Sequence, residues 1–108
     1  MDEREERIAR NETLFREVNE RIEDVSRSVG LRESLEFLCE CGIPDCPQPI
    51  LLSRAEYEAV RADPRHFVIV PGHEHPEFER VIEQNERYAV VEKDGEAEEI
   101  AEATDPRS

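Results

Sequence analysis

All three cysteines of this 108-residue chain lie within a stretch of eight residues, at Cys39, Cys41 and Cys46. One residue separates the first pair and four separate the second pair, with Gly42 and Pro44 in the gap. Clustered thiols in a reducing compartment are more often metal-binding or catalytic than disulfide-bonded. Cysteines two apart in a strand are about 6.5–7 Å apart, at or beyond the usual Cα span of a disulfide. The spacing therefore favours a metal site.

Zinc is the metal that these residues suit best. A structural Zn²⁺ takes four Cys or His ligands at tetrahedral angles, so the thiolates must approach within about 4 Å of one another. A strand ending at residues 39–41 would point two sulfurs to one side, and residues 43–46 have the composition of a turn that returns the third. Backbone N–H groups in such a turn would donate to sulfur. We expect one zinc ion per chain; iron, or simply buried reduced cysteines, are the alternatives.

The fourth ligand must come from another segment, and VPGHEHPE at residues 70–77 offers two histidines. His73 follows a Pro-Gly turn at the point where the preceding strand leaves the core, and we prefer it for that reason. His75 is the runner-up, because the proline after it restricts its backbone to extended geometry. His66 stands at the opposite end of the strand and suits a surface or cap position. The predicted ligand set is Cys39, Cys41, Cys46 and His73.

Catalytic interpretations of the same residues have less support. The sequence His75-Pro76-Glu77 matches the H-x-E part of the zinc deaminase signature, but here the cysteines precede it and are spaced differently. A cysteine nucleophile would need a recognisable nucleophile loop and an oxyanion donor. If three cysteines alone held the metal, Glu74 would be a candidate general base beside metal-bound water. Four protein ligands close a zinc site, which favours a structural role over a small zinc-dependent hydrolase.

Residues 3–29 contain no Gly or Pro and predict a long amphipathic helix, which Gly30 would end. Its apolar residues recur in steps of three and four, the a/d pattern of a coiled coil, with Asn11 as the one polar member. At about 1.5 Å per residue this helix would reach about 40 Å, longer than a small compact domain is wide. We expect part of it to pair with a second copy or another protein, with Asn11 fixing the register; the alternative is a helix that covers its own sheet. The apolar positions are Ile8, Phe15, Val18, Ile22, Val25 and Val29.

The rest of the chain predicts short strands and one short helix. Ser53 and Glu56 have the spacing of a capping box, and Asp63-Pro64 would end the helix that they begin. Residues 78–83 could instead begin a helical turn at Pro76. The strands are expected at residues 35–41, 50–52, 67–70, 78–83 and 88–93.

These elements predict an α+β fold with three parts. Residues 1–30 form the amphipathic helix, and residues 31–94 form a small zinc-stapled domain with a mainly antiparallel sheet and one short helix. Residues 95–108 are acidic and nearly devoid of large apolar side chains, and are expected to be a flexible tail. A core this small would gain materially from a metal, because a chain of 108 residues buries only a modest apolar area.

The charge of the chain limits its partners. With 28 acidic against 14 basic residues the net charge is −14, which disfavours nucleic acids and anionic membranes. No apolar run suggests a signal peptide or a membrane span, so a cytoplasmic location is expected. A protein partner with a basic face fits this charge; the alternative is that the acidity serves solubility alone.

Three stretches carry a resemblance to a known group: FLCECGIPDC, SRAEYEAVRADPRHFVIVPGHE and RYAVVEK. They resemble small bacterial proteins that share a C-E-C-G-x3-C stretch, an EYEAVR-like helix and a PGHE turn, and for which no activity is established. The resemblance covers about residues 35–93. It implies that Cys39, Cys41, Cys46 and His73 act as one site, and it implies no reaction.

The function predicted from these features is that of a small acidic protein with a structural Cys3His zinc site, acting as a protein interaction or regulatory module. Two alternatives remain open at this point. The first is a thiol-based redox or metal sensor, in which oxidation ejects zinc and releases the helix. The second is the zinc-dependent hydrolase.

Overall fold

The computed structural model describes residues 3–28, 34–46 and 48–107. The predicted α+β fold is confirmed: a long N-terminal helix is followed by antiparallel sheets and short helices. The predicted end of the long helix, at Val29 and Gly30, lies outside the described residues. The helices are α1 (Glu3–Ser28), α2 (Arg54–Arg61) and α3 (Glu96–Ala103). The strands are β1 (Leu35–Leu38), β2 (Pro49–Leu52), β3 (His66–Ile69), β4 (Glu79–Gln84) and β5 (Ala89–Lys93).

The strands form two small antiparallel sheets. The strands β1 and β2 make a hairpin, and the second sheet has the order β3-β5-β4. The first strand ends at Leu38, three residues earlier than its alternation suggested, because the chain then changes partner. The backbone N–H of Cys39 donates to Gln48 O and that of Glu40 donates to Val68 O, both at 2.8 Å. The segment after β1 therefore joins the hairpin to β3.

Apolar side chains from both sheets and from α2 form one core. Phe37 of the hairpin stacks on Tyr57 of α2 with 4.5 Å between ring centroids. The second helix begins at the predicted capping box, in which Ser53 and Glu56 bond each other's backbone N–H groups. Other fully buried members of this core are Leu52, Val68, Ile69, Ala89 and Val91.

The long helix covers this core with a polar face, which its apolar pattern did not predict. The Arg16 guanidinium lies 4.4 Å from the centre of the Phe67 ring and donates to Ala101 O at 2.9 Å. The buried face extends from Ile8 to Ser26, and the longest dimension of the molecule is 42 Å. The domain therefore covers one face of the helix from Ile8 to Ser26, so the length of the helix is by itself no argument for a partner. Its buried residues are Ile8, Ala9, Glu12, Arg16, Asn19, Glu23 and Ser26.

The C-terminal segment is a helix where the sequence suggested a flexible tail. Ala97 and Ala101 of α3 are buried, and their small side chains let α3 approach α1 and β5 closely. After α3, Asp105 pairs with Arg61 and Arg107 pairs with Glu20, so ion pairs of both polarities tie this segment to the domain. The tail interpretation is wrong because it counted large apolar residues and overlooked alanine packing. No helix within the described ranges is long and apolar enough to cross a bilayer.

Candidate metal centre

Two turns deliver the four predicted ligands to one place. The turn at residues 43–46 is closed by Cys46 N donating to Ile43 O at 3.0 Å, and it returns Cys46 toward Cys39 and Cys41. The turn after β3 is closed by His73 N donating to Val70 O at 3.0 Å, with Gly72 at a φ of +93°. Both turns have the compositions expected from the sequence. The two halves of the site thus come from segments about 30 residues apart.

One ligand atom from each of Cys39, Cys41, Cys46 and His73 lies within 4.8 Å of all the others. The Nδ1 atom of His73 is 3.6 Å from the Cys39 sulfur and 3.5 Å from the Cys46 sulfur. A zinc ion with Zn–S bonds of about 2.3 Å holds tetrahedral ligand atoms about 3.8 Å apart, so a small closure of this cluster would suit it. The predicted donor set and its spacing therefore fit a tetrahedral ion.

Backbone N–H groups point at the sulfurs, as the turn composition suggested. Val70 N donates to the Cys39 sulfur at 3.1 Å, and Gln48 N donates to the Cys46 sulfur at 3.4 Å. Such bonds offset negative charge on thiolates, which a metal site with three cysteines must carry. Both donors belong to the segments that also position the ligands.

The three thiols differ in their readiness to ionise. The pKa of Cys41 is lowered to about 4, chiefly because the Cys39 thiol donates to its sulfur and also because Ile43 N–H does. The pKa of Cys39 is raised by that same hydrogen bond and by burial. The pKa of Cys46 is raised, first by burial. Cys41 is therefore the first thiolate available to a cation, and metal binding would displace the proton that Cys39 shares with it.

His75, the second choice for the fourth ligand, has a different role in the structure. Its Nε2 donates to Cys41 O at 2.7 Å, and its ring stacks on Phe78 with 5.2 Å between centroids. Its backbone N–H donates to the Glu79 carboxylate at 2.9 Å. A buried imidazole held in this way supports the cysteine segment from behind, and His73 completes the cluster. His66 lies at the far end of β3 beside Glu92, as expected for a surface position.

The long helix holds the cysteine segment through two asparagines. Asn11 Nδ2 donates to Gly42 O at 2.9 Å, and Asn19 bonds both the N–H and the C=O of Leu38 at 2.8 and 2.9 Å. Gly42 itself, at a φ of +78°, lies so close to the helix that a Cβ there would stand 2.6 Å from Ile8 O. The helix therefore fixes the backbone on both sides of Cys39 and Cys41.

Glu40, between the first two cysteines, is a structural residue that the sequence did not identify. Its carboxylate is fully buried and accepts from Asn19 Nδ2 at 2.8 Å, Val68 N at 3.0 Å and Tyr57 OH at 3.2 Å. Burial raises its pKa, and the bonds from Asn19 and Val68 oppose that rise. Its position in the C-E-C stretch was visible, but alternation in a strand placed it on the outer face. It joins α1, α2 and β3 directly behind the ligands.

The cluster opens to solvent on one side. A pocket of about 310 Å³ lies against Cys46 and His73 and is lined also by Glu74. Cys46 is half-buried, whereas Cys39 and Cys41 are buried, so a solute would reach the Cys46 sulfur first. One carboxylate oxygen of Glu74 is buried without a hydrogen-bond partner among the described residues.

A second group with metal-ligating atoms has a simpler explanation. Asp63, His66 and Glu92 also bring one ligand atom each within 4.8 Å of the others. However, the Arg65 guanidinium contacts Asp63 at 2.7 Å and that of Arg80 contacts Glu92 at 2.7 Å. Two cations already neutralise these carboxylates, so the group is a surface network of ion pairs and does not resemble the cysteine cluster.

The fold and the cluster together define a class: a small α+β domain with a Cys3His group of metal-ligating residues joining its two sheets. Comparisons with models of protein families, with curated proteins and with solved structures found no match to this chain. The resemblance to small bacterial proteins with a C-E-C-G-x3-C stretch therefore stays a prediction.

Proposed function

We propose that this protein is a zinc-stabilised protein interaction module that works without catalysis. One Zn²⁺ per chain would be held by Cys39, Cys41, Cys46 and His73. The observation that carries the proposal is the approach of these four donors to within 4.8 Å of one another. Three thiolates and an imidazole are a donor set that zinc prefers in structural sites. A cytoplasmic location, which keeps thiols reduced, fits this use of cysteine.

A structural role follows from where the cluster lies. Three ligands stand in the segment that follows β1, and the fourth follows β3, so a bound ion would join the hairpin to the second sheet. In a chain with so small a core, a cross-link of this kind adds a large share of the stability. Four protein ligands also leave a tetrahedral ion no open position for substrate, which supports a structural role over the hydrolase.

Metal content measured on untagged protein tests the site. We expect one zinc per chain, with Cys46→Ser and His73→Ala each weakening zinc binding at least tenfold and lowering the melting temperature. His66→Ala is the matched control, because it removes a half-buried histidine at the other end of β3 and should leave zinc content unchanged. A chain that folds without metal and keeps its melting temperature in a strong chelator would overturn the proposal.

The interaction role rests on the outer surface of α1. Three apolar side chains there are strongly exposed: Leu14 at 56%, Val18 at 38% and Val25 at 63%. Exposed apolar residues in a row along one helix are typical of a docking surface, whereas isolated ones are not informative. We name these three residues the outer stripe. Val18 and Val25 belong to the apolar pattern that suggested a coiled coil, whereas Leu14 lies outside it, so the domain's own core does not use all of that pattern.

A redox sensor is the second candidate, favoured by the half-buried Cys46 beside its pocket. A peroxide would take an electron pair from two zinc-bound thiolates, which would join in a disulfide, and its oxygens would leave as water or alcohol. Zinc would be released by that reaction. Treatment with stoichiometric hydrogen peroxide should then release one zinc per chain, and a reductant should restore binding; unchanged zinc content would exclude this candidate.

A further inference from the structure

The outer stripe lies on the side of α1 that its own domain leaves uncovered. At 3.6 residues per turn, Leu14, Val18 and Val25 fall within a sector of about 40° on the helix. That sector is about 140° round the helix from the centre of the buried polar face. A groove of about 390 Å³ continues the stripe toward β1, where Ile22 of the helix approaches Leu35. The uncovered apolar surface therefore follows the C-terminal half of the helix, from Leu14 to Val25.

Two other residues of the pattern, Ile8 and Asn11, face inward. Ile8 is 5% exposed, and the Asn11 amide donates to Gly42 O at 2.9 Å. Glu12 and Asn19, which follow positions of the predicted a/d seam, are buried against the domain. A coiled coil centred on that seam would have to displace the domain. Any partner helix must instead approach along the outer stripe.

A line of charged residues borders the outer stripe on its other flank, toward α3, where Arg10 and Glu17 line a groove together with Ile100. Over the length of the stripe its exposed members are Arg10, Glu17, Arg21 and Asp24, which fall within a sector of about 60°. None of the four forms an ion pair with another described residue, whereas Arg4, Arg27, Arg61, Arg65, Arg80, Arg87 and Arg107 do. The signs run positive, negative, positive, negative along the helix. After the exposed outer stripe, this alternating order of charges is the second observation that indicates which partner binds.

We propose that the outer stripe binds the outer stripe of a second copy of this chain, with the two α1 helices antiparallel and the two-fold axis beside Val18. Val18 then meets its symmetry mate, and Leu14 lies opposite Ile22 of the partner helix. This inference deepens the proposed interaction role and rests on it. The contact is isologous, as in most homodimers, because one surface supplies both sides.

The charges select the antiparallel arrangement. With Val18 opposite Val18, the partner's Asp24 comes within about two residues of axial offset, or about 3 Å, of Arg10, and the partner's Arg21 comes equally close to Glu17. Symmetry repeats both contacts, so four ion pairs would form. In a parallel pair, the charged border of one helix would face the apolar edge of the other at Ile22 and Leu35. The charged side chains would then lie against apolar ones and form no ion pairs across the interface.

The net charge of −14 opposes self-association, and two observations limit its effect. At physiological ionic strength the Debye length is about 8 Å, so charge on the far side of each domain is largely screened. From residue 10 to residue 24 the charged border has two basic and two acidic residues, Arg10 and Arg21 against Glu17 and Asp24, and is neutral over the length that would pair; Glu3 and Glu6 of the same sector lie before that length. A partner other than this chain would need no alternating order of signs.

The mass of the zinc-loaded protein in solution, measured by sedimentation at physiological ionic strength, tests the proposal. We expect a dimer at micromolar concentration, and a dissociation constant raised at least tenfold by Val18→Glu. Ile82→Glu is the matched control, because Ile82 is 44% exposed on β4, away from the helix, and should leave the dimer intact. Zinc content and circular dichroism of each variant establish that it is folded. A monomeric wild-type protein at 100-fold higher concentration would overturn the dimer.

A charge swap tests the orientation. Arg10→Glu and Asp24→Arg alone should each weaken the dimer several-fold, because each places like charges together across the interface. The double variant, Arg10→Glu with Asp24→Arg, should recover the wild-type dissociation constant. A dimer that the double variant weakens further would contradict the antiparallel arrangement. A wild-type protein that dimerises but binds no zinc would refute the metal centre and support the dimer. The two proposals can therefore be refuted independently.

Discussion

Gly42 shows how a single residue couples the metal centre to the long helix. Its φ of +78° is in the left-handed region, where a residue with a Cβ is strained by about 1–2 kcal/mol. Its Cα also faces α1 so closely that a Cβ would stand 2.6 Å from Ile8 O and 2.8 Å from Glu12 Cγ. The first of these neighbours is backbone and cannot move aside. The glycine is therefore required both by the turn and by the helix.

Gly42→Ala should lower the free energy of unfolding by at least about 3 kcal/mol, because backbone strain and a clash add. It should also weaken zinc binding, since the helix could no longer approach the cysteine segment. Gly72→Ala is the matched control: its φ is +93°, but a Cβ there has no neighbour within 4 Å. That variant should cost only about 1–2 kcal/mol. Thermal and denaturant unfolding would measure both, and equal losses would contradict the proposed role of the contact with α1.

A second residue-scale feature is a buried group of three charges that no sequence pattern indicated. The Lys93 ammonium binds both Glu12 of α1 and Glu79 of β4, and all three side chains are at most 3% exposed. One cation cannot neutralise two carboxylates. Burial raises the pKa of Glu12 to about 8, Lys93 opposes the rise, and Glu79 adds to it. Glu12 is therefore largely protonated at neutral pH.

The raised pKa of Glu12 predicts how stability depends on pH. A carboxyl group with a pKa of about 8 in the folded state and 4.5 in the unfolded state stabilises the fold fully below pH 4.5. This contribution is lost as the pH rises toward 8. Glu12→Gln removes the titration. Between those pH values the free energy of unfolding of the variant, relative to that of the wild type, should therefore rise with pH by at most about 1.4 kcal/mol per unit. Urea unfolding of both proteins from pH 5 to 9 checks this; a constant difference would contradict it.

At the scale of elements, patterns that depend on local chemistry were predictable and those that depend on packing partners were not. The capping box of α2 and the turns before Cys46 and His73 satisfy their own backbone groups, so local sequence is sufficient to predict them. Juxtaposition of the four ligands was predictable because a metal site needs a fourth donor at a turn. The face that α1 buries was predicted wrongly, because apolar periodicity assumes an apolar interface. Here the cations of Arg16 and Lys93 lie over the Phe67 ring, so a polar face of α1 packs on the core.

Asn19 is the residue through which α1 and β1 are joined, and its removal should separate them. Asn19→Ala loses the two bonds to the Leu38 backbone and the bond to Glu40, and leaves a buried carboxylate with one partner fewer. We expect a loss of about 2–4 kcal/mol in the free energy of unfolding. Asn85→Ala is the control: its side chain also accepts two backbone bonds, from Arg87 and Tyr88, but in an exposed turn. A loss no greater than that of the control would show that α1 is held by other contacts.

At the scale of the whole molecule, the first helix and the C-terminal segment meet over α2. Arg61 of α2 has a fully buried side chain that binds Glu20 of α1 at 2.5 Å and Asp105 after α3. Arg107 binds Glu20 at 2.8 Å and Glu58 at 2.8 Å from a more exposed position. The first and last helices are thereby held to the middle of the chain by ion pairs, in addition to the apolar packing of Ala97 and Ala101. Distant segments of the chain are thus brought together at two places, the cysteine cluster and the ion pairs of Arg61 and Arg107.

Among the ion pairs over α2, removing the buried Asp105 should lower the free energy of unfolding more than removing the exposed Arg107. Asp105→Ala leaves the Arg61 guanidinium buried with one carboxylate fewer, and a buried charge that loses a partner costs about 3 kcal/mol. Arg107→Ala removes more ion pairs, but its side chain is 32% exposed and should cost at most about 1 kcal/mol. Amide hydrogen exchange should increase in α3 and in the middle of α1 for the first variant, with zinc content unchanged. If Arg107→Ala lowers the free energy of unfolding more than Asp105→Ala does, the number of ion pairs matters more than their burial. The C-terminal segment would then be held mainly by its exposed ion pairs.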